Sequence, residues 1–131
     1  MNYLWVAIGS ALGGMARYWC SSVAATLTGG WFPWGTLIVN VLGSFIIGLM
    51  AALSAAHGPL LIKPELRVFV MVGLCGGYTT FSSFSLQTLT LARDGQRREM
   101  WRNIVLSTLA CLLAVWAGFA GALAFGPMEG P

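Results

Sequence analysis

Residues 73 to 85 read GLCGGYTTFSSFS, and they lie inside an apolar run from about Val68 to Ala92 that contains no Lys, Arg, Asp or Glu. At 1.5 Å per residue such a run reaches roughly 35 Å, enough to cross a hydrocarbon core of about 30 Å with some tilt. Gly76 and Gly77, followed closely by Thr79 and Thr80, work against a continuous helix. Glycine and threonine have poor helix propensity, and the hydroxyls bond readily to nearby backbone. The stretch is therefore read as a membrane crossing that breaks midway, at Gly76 to Thr80. Carbonyls released at that depth must be buried in protein or satisfied by an ion. Carbonyl oxygens suit a hard cation such as Na+.

Just past the expected break, Phe81 and Phe84 are three apart and share one helical face, with Ser82, Ser83, Ser85, Gln87 and Thr88 around them. Paired phenylalanines ordinarily pack in a core or against lipid. An aromatic ring also has a positive edge, so two rings presented edge-on can stabilise an anion without the full charge that would hold it too tightly.

The rest of the chain has the same character. Of 131 residues, 57% are hydrophobic and 8% charged, against about 25% charged in an average soluble domain. With a mean hydropathy of +0.78, this composition excludes a water-soluble globule with a charged shell, and it equally excludes intrinsic disorder. Three more apolar stretches run from about Tyr3 to Leu27, Trp34 to Ala56 and Ile104 to Phe125. The expectation is an all-α membrane protein of four crossings forming one domain over 1–131. Met1 to Ile8 carries no basic residue, so the first stretch is read as a retained crossing rather than a leader peptide. Thr28 to Pro33 reads as an interfacial turn beside Trp31, Phe32 and Trp34, His57 to Pro64 as a polar loop, and Arg93 to Arg102 as a charged loop ahead of the fourth crossing.

Counting Lys and Arg places Lys63 and Arg67 on the side of the termini and Arg93, Arg97, Arg98 and Arg102 on the other, with Arg17 a candidate fifth there. The margin favours termini outside but fixes no single orientation firmly.

Polar residues inside the crossings fall on stripes. Thr36, Asn40, Ser44 and Gly48 recur every four residues, as do Asn103, Ser107 and Cys111, and as do Gly9, Gly13 and Arg17. Such stripes serve close helix packing and interhelical hydrogen bonds. Asn40 stands out, because an amide near mid-membrane needs up to four partners. Cys20, Cys75 and Cys111 are widely spaced in apolar runs and are read as small core residues, neither a metal cluster nor a disulfide framework. His57 has no acid or thiol spaced as a catalytic or metal partner, so enzyme chemistry is not expected. Asp and Glu are absent from the apolar crossings, which argues against a proton-coupled exporter. The basic third loop is read as solvated membrane flanking rather than a nucleic-acid surface.

These residues resemble the small bacterial Fluc fluoride channels, also called CrcB-like proteins. The likeness runs from Gly9 to about Gly118 and rests on GSALGGMARY (9–18), GTLIVNVLGSFIIG (35–48) and, most specifically, GLCGGYTTFSSFS (73–85). The resemblance implies an antiparallel, dual-topology homodimer in the bacterial inner membrane, with two narrow fluoride pores and a structural Na+ at its centre. By similarity, the carbonyls of Gly76 and Thr79 from both subunits would hold the Na+, and Phe81 and Phe84 would present ring edges to fluoride. Asn40 would donate to the ion or position the rings. Thr36, Ser107 and Cys111 correspond to pore or vestibule positions, and Arg17 to a basic residue near an aqueous entrance. Cys111 stands where some members carry Ser, Gln87 where some carry Glu, and Asn103 where some carry Tyr. The expected activity is passive, fluoride-selective export. A small fluoride/proton antiporter or cation exporter, and a structural subunit of a larger membrane complex, are the competing expectations.

Overall fold

A computed structural model describes residues 1–55 and 62–125, and these residues are helical apart from short turns. Helix α1 is Asn2–Thr28 and α2 is Trp34–Leu53; the third crossing is assembled from α3 (Pro64–Arg67), a π-helical stretch (Val68–Cys75), α4 (Gly76–Tyr78) and α5 (Phe81–Arg93). Helix α6 is Arg97–Phe125.

Length and composition make α2, the composite Pro64–Arg93 and most of α6 able to cross a bilayer. Helix α1, with 27 residues, is also long enough, at roughly 40 Å; Arg17 and its serines make it less apolar. Tyr18, Trp19, Leu27, Leu113 and Trp116 are all exposed. So much large apolar surface suits acyl chains and not water. The chain is a multi-pass membrane protein.

Two helix pairs make the bundle, and glycine makes both. A Cβ at Gly9 would lie 2.7 Å from the Phe69 carbonyl oxygen, one at Gly13 would strike the Leu74 carbonyl, and one at Gly77 would lie 2.5 Å from the Ser10 carbonyl oxygen. Helix α1 and the first half of the third crossing therefore touch backbone to backbone. In the second pair, a Cβ at Gly48 would meet the Val115 carbonyl and one at Gly118 the Phe45 carbonyl, which locks α2 against α6. Small residues of this kind gain van der Waals contact that lipid cannot offer.

The turns follow from the same sequence. Gly29 takes φ 75° and its N–H closes α1 on the Ala25 carbonyl at 3.0 Å, the left-handed cap that suits glycine. Arg102 lies 5.8 Å from the Trp31 ring centre and 5.6 Å from that of Phe32, so a cation–π contact pins this turn to the start of α6.

Three expectations need correction. Arg97 to Arg102 are not loop but the first turns of α6, because the turn closes early: Gly95 adopts φ 75° and the Gln96 N–H reaches the Leu91 carbonyl at 2.9 Å. Pro64 is the first residue of α3 rather than part of a loop, since proline needs no N–H partner at a helix start. The second crossing stops at Leu53, with the Ser54 hydroxyl donating to the Met50 carbonyl at 2.5 Å. Ala56 and His57 lie outside the described residues.

Candidate functional site

The third crossing does break, but over fewer residues than Gly76 to Thr80. Gly76 to Tyr78 remain helical. Only Thr79 (φ −81°, ψ 159°) and Thr80 (φ −155°, ψ 114°) are extended. Gly77 fits against the Ser10 backbone, so that glycine serves close packing and not unwinding. The β-branched threonines carry the extended conformation instead. The preceding turns widen into the π-helix Val68–Cys75, which the sequence reading did not anticipate; Val68, Val70 and Val72 make that segment a poor α-helix former.

Two supports hold the break open. The side-chain amide of Asn40 grips Thr80 from α2: Oδ1 accepts from the Thr80 N–H at 2.7 Å and Nδ2 donates to the Thr80 carbonyl at 3.0 Å. Both backbone groups have fixed polarity, so the amide can face only one way. The Thr80 hydroxyl then caps α5 by accepting from the Ser83 N–H at 3.1 Å, the usual office of an N-cap threonine. Gly43, one turn along α2 from Asn40, leaves room for the Thr79 methyl, since a Cβ there would strike it.

These bonds divert two helical donors. In a continuous α-helix the Thr80 N–H would satisfy the Gly76 carbonyl and the Ser83 N–H the Thr79 carbonyl. Both donors go elsewhere. The carbonyls of Gly76 and Thr79 are thus released from the ladder.

Beside the break lies a groove of about 370 Å³. Asn40, Ser44 and Ile47 line it from α2, Thr79, Thr80, Phe81 and Phe84 from the broken crossing, and Ser107, Thr108, Cys111 and Leu112 from α6. No lining side chain is charged. The two phenyl rings sit 5.4 Å apart between centres, tilted by 49°. Phe81 is 79% exposed, so one wall of the groove faces away from the rest of the chain. The groove offers neutral donors, ring faces and ring edges, with nothing that fixes an anion by charge.

A family model described as CrcB-like protein, Camphor Resistance (CrcB), matches residues 4–119. The chain belongs to the CrcB-like family. It is 55% identical over 130 residues to a protein of Methylocella silvestris named fluoride-specific ion channel FluC, covering 99% of both chains. Proteins of Rhodospirillum rubrum and Paramagnetospirillum magneticum with the same name are 54% and 53% identical, over 94% and 93% of this chain and 95% of theirs.

In this CrcB-like chain, Asn40, Thr79, Phe81, Phe84, Ser107 and Cys111 meet at one groove, although they come from three crossings. Thr36 does not line it; it is buried on α2 a turn before Asn40. Arg17 is half-buried on α1 and also stands apart from the groove. Gly76 lies beside the break and is exposed. Of the cysteines, Cys75 is buried as expected, whereas Cys20 and Cys111 are half-buried, and all three are free thiols. Cys20 accepts a hydrogen bond from the Tyr78 hydroxyl at 3.5 Å, and Cys111 belongs to the groove.

The sequence reading missed three contributors. Gly43 carried a usable signal, being three residues after Asn40 on the same helical face. Thr80 as a cap was legible in the T-x-x-S pattern ahead of α5. The pairing of buried Asn103 with Thr88, at 2.9 Å, depends on the register between α5 and α6 and had no local signal.

Proposed function

We infer that this chain is a fluoride-specific ion channel that lets fluoride leave the cytoplasm down its electrochemical gradient. The observation that carries the reading is the uncharged groove beside the Thr79–Thr80 break, rimmed by Phe81 and Phe84 and gripped by Asn40. The names of the three relatives point to the same ion.

Hydrogen fluoride crosses lipid in its neutral form and is trapped as the anion in a less acidic interior. Only a pore is needed to release it. An inside-negative potential drives one negative charge outward by about 2.3 kcal/mol per 100 mV, without ATP or a proton partner. Along the groove, ring edges of Phe81 and Phe84 and the hydroxyls of Ser107 and Thr108 would replace part of the water around the ion. The second N–H of the Asn40 amide, free of the Thr80 clamp, is a further donor. Narrowness and donor strength would together disfavour chloride, a larger ion and a weaker acceptor.

The groove is open on the side where Phe81 projects. A second copy in antiparallel orientation would close it, and a twofold pair would carry two such paths. The modest excess of basic residues on one side, Arg93, Arg97, Arg98 and Arg102 against Lys63 and Arg67, leaves insertion in both orientations into the bacterial inner membrane accessible.

The residues present also fit a central Na+. The carbonyls of Gly76 and Thr79 lose their helical donors to the Asn40 clamp and the Thr80 cap, and a twofold pair would supply four such oxygens. Bound there, the cation would give the released carbonyl oxygens a partner and fasten the two breaks to each other. The chain's own contribution is to hold those oxygens out of the helical ladder.

The test is reconstitution into liposomes loaded with fluoride, with efflux followed by an ion-selective electrode under a potassium shunt. Rapid fluoride efflux with chloride retained is expected. Absent flux, or equal passage of chloride, would refute the reading.

A further inference from the structure

A chain of hydrogen bonds runs from the groove into the seam between α5 and α6, and its polarity can be worked out from its far end. The Thr88 hydroxyl donates to the Phe84 carbonyl at 2.7 Å. A hydroxyl has one proton, so toward Asn103 it can only accept, and Asn103 Nδ2 donates to it at 2.9 Å. That sets the amide oxygen toward Ser107, whose hydroxyl must then be the donor, at 3.2 Å. Asn103 is 2% exposed and Ser107 7%, so water does not compete for these bonds. In this setting the Ser107 proton points away from the groove that Ser107 lines. Only its lone pairs face an incoming anion.

The same heavy atoms support a second setting. If the Asn103 amide turns by half a rotation, its oxygen faces Thr88 and its nitrogen faces Ser107. Thr88 then donates to Oδ1 instead of the Phe84 carbonyl, which keeps its helical N–H partner. Nδ2 donates to the Ser107 oxygen, and the Ser107 proton is free to point into the groove. A hydroxyl that accepts one bond while donating another is a stronger donor. In the second setting the Ser107 proton finds its partner only when an acceptor occupies the groove.

We propose that Asn103 is a positioning residue for fluoride selectivity, its amide turning over to convert Ser107 from an acceptor into a donor toward the ion. This rests on the groove being the fluoride path. Fluoride, a small and strong acceptor, compensates for the exchange of partners; chloride, a weak one, leaves the relay in its resting setting. In the resting setting the relay ends on the Phe84 backbone carbonyl, and turning the amide releases that bond.

Asn103→Leu keeps the buried volume and removes the amide. Ser107 then has the carbonyl of residue 103, four back on its own helix, as its remaining acceptor, and its proton is withdrawn from the groove. Fluoride efflux is expected to fall about tenfold, to the level of Ser107→Ala, while the double variant falls no further. The fluoride-to-chloride permeability ratio should fall with it, which loosened packing alone would not cause. Wild-type efflux in Asn103→Leu, or additive losses in the double variant, would overturn the relay. A second readout needs no variant fold: in nitrogen-labelled wild-type protein, the Asn103 side-chain amide signals should shift with fluoride and not with chloride. Unchanged signals would be equally decisive against it. If Phe84→Ile left efflux intact, the path itself would be misplaced; if Phe84→Ile abolished it while Asn103→Leu did not, the relay alone would fail.

Discussion

The two halves of the third crossing differ in what they face. The first half, through Tyr78, sets Gly73 and Gly77 against the α1 backbone and buries Cys75 at 1% exposure. The second half, from Phe81, turns a residue that is 79% exposed away from the rest of the chain, next to Ser82, Ser83 and Ser85 in the sequence. One half spends its sequence on contacts within the subunit. The other presents chemistry to whatever lies alongside. The Thr79–Thr80 joint lets both exist on one crossing, since a continuous helix would carry the glycine face and the phenyl face in a fixed register.

The most severe way to break this contrast is in the first half. In Gly13→Val the new Cβ lands on the Leu74 carbonyl and 2.8 Å from the Tyr78 amide nitrogen. Both are backbone, so neither can swing aside, and the cost should exceed about 3 kcal/mol. No monodisperse protein is expected on size exclusion in detergent. Gly14→Val, where a Cβ meets nothing within 4 Å, should behave as wild type. Equal damage at both positions would show that helix propensity, and not close approach, is at stake.

In the second half the expected loss is functional. Phe81→Ile and Phe84→Ile should each leave the protein folded, with its elution on size exclusion unchanged, yet abolish fluoride efflux from liposomes. Neither ring fills the core of its subunit. A variant that lost assembly and flux together would move that ring into the packing class and blur the contrast.

What the sequence disclosed follows the same division. Four crossings were legible because apolar runs without charge have few other uses in a chain so poor in charged residues. The break was legible in GGYTT, but its position slipped, because glycine serves both unwinding and close approach and sequence does not say which. Gly77 turned out to need closeness, and the threonines alone are extended. Asn40, Phe81, Phe84, Ser107 and Cys111 line one groove, and each had stood out by breaking the apolar pattern or carrying the resemblance. Thr36 shares the Asn40 stripe yet is buried on α2 and does not line the groove. The Asn103–Thr88 pair depends on how crossings register against one another, which no local pattern records.

At the joint itself, Asn40→Asp isolates half of the clamp. A carboxylate can still accept from the Thr80 N–H, but it cannot donate to the Thr80 carbonyl, and it sets negative charge on the wall of an anion path. Efflux should fall by at least about tenfold, with folded protein retained. Unaltered efflux would remove Asn40 from the path.

The mildest change at the joint is Thr80→Ala. It deletes the cap on the Ser83 N–H and the hydroxyl contacts to Ser82 and Ser83, at 3.2 and 3.1 Å. It spares the Asn40 clamp, because that clamp holds Thr80 by its backbone. Loss of a threonine cap costs about 1 kcal/mol, which should lower the melting temperature in detergent by roughly 4 °C, with Thr80→Ser restoring most of it. Efflux should stay within about twofold of wild type, since one lost cap leaves the amide grip in place. A drop as deep as that of Asn40→Asp would mean that the hydroxyl meets the ion directly, and that the joint belongs to the outward-facing half and is not a neutral hinge between the two.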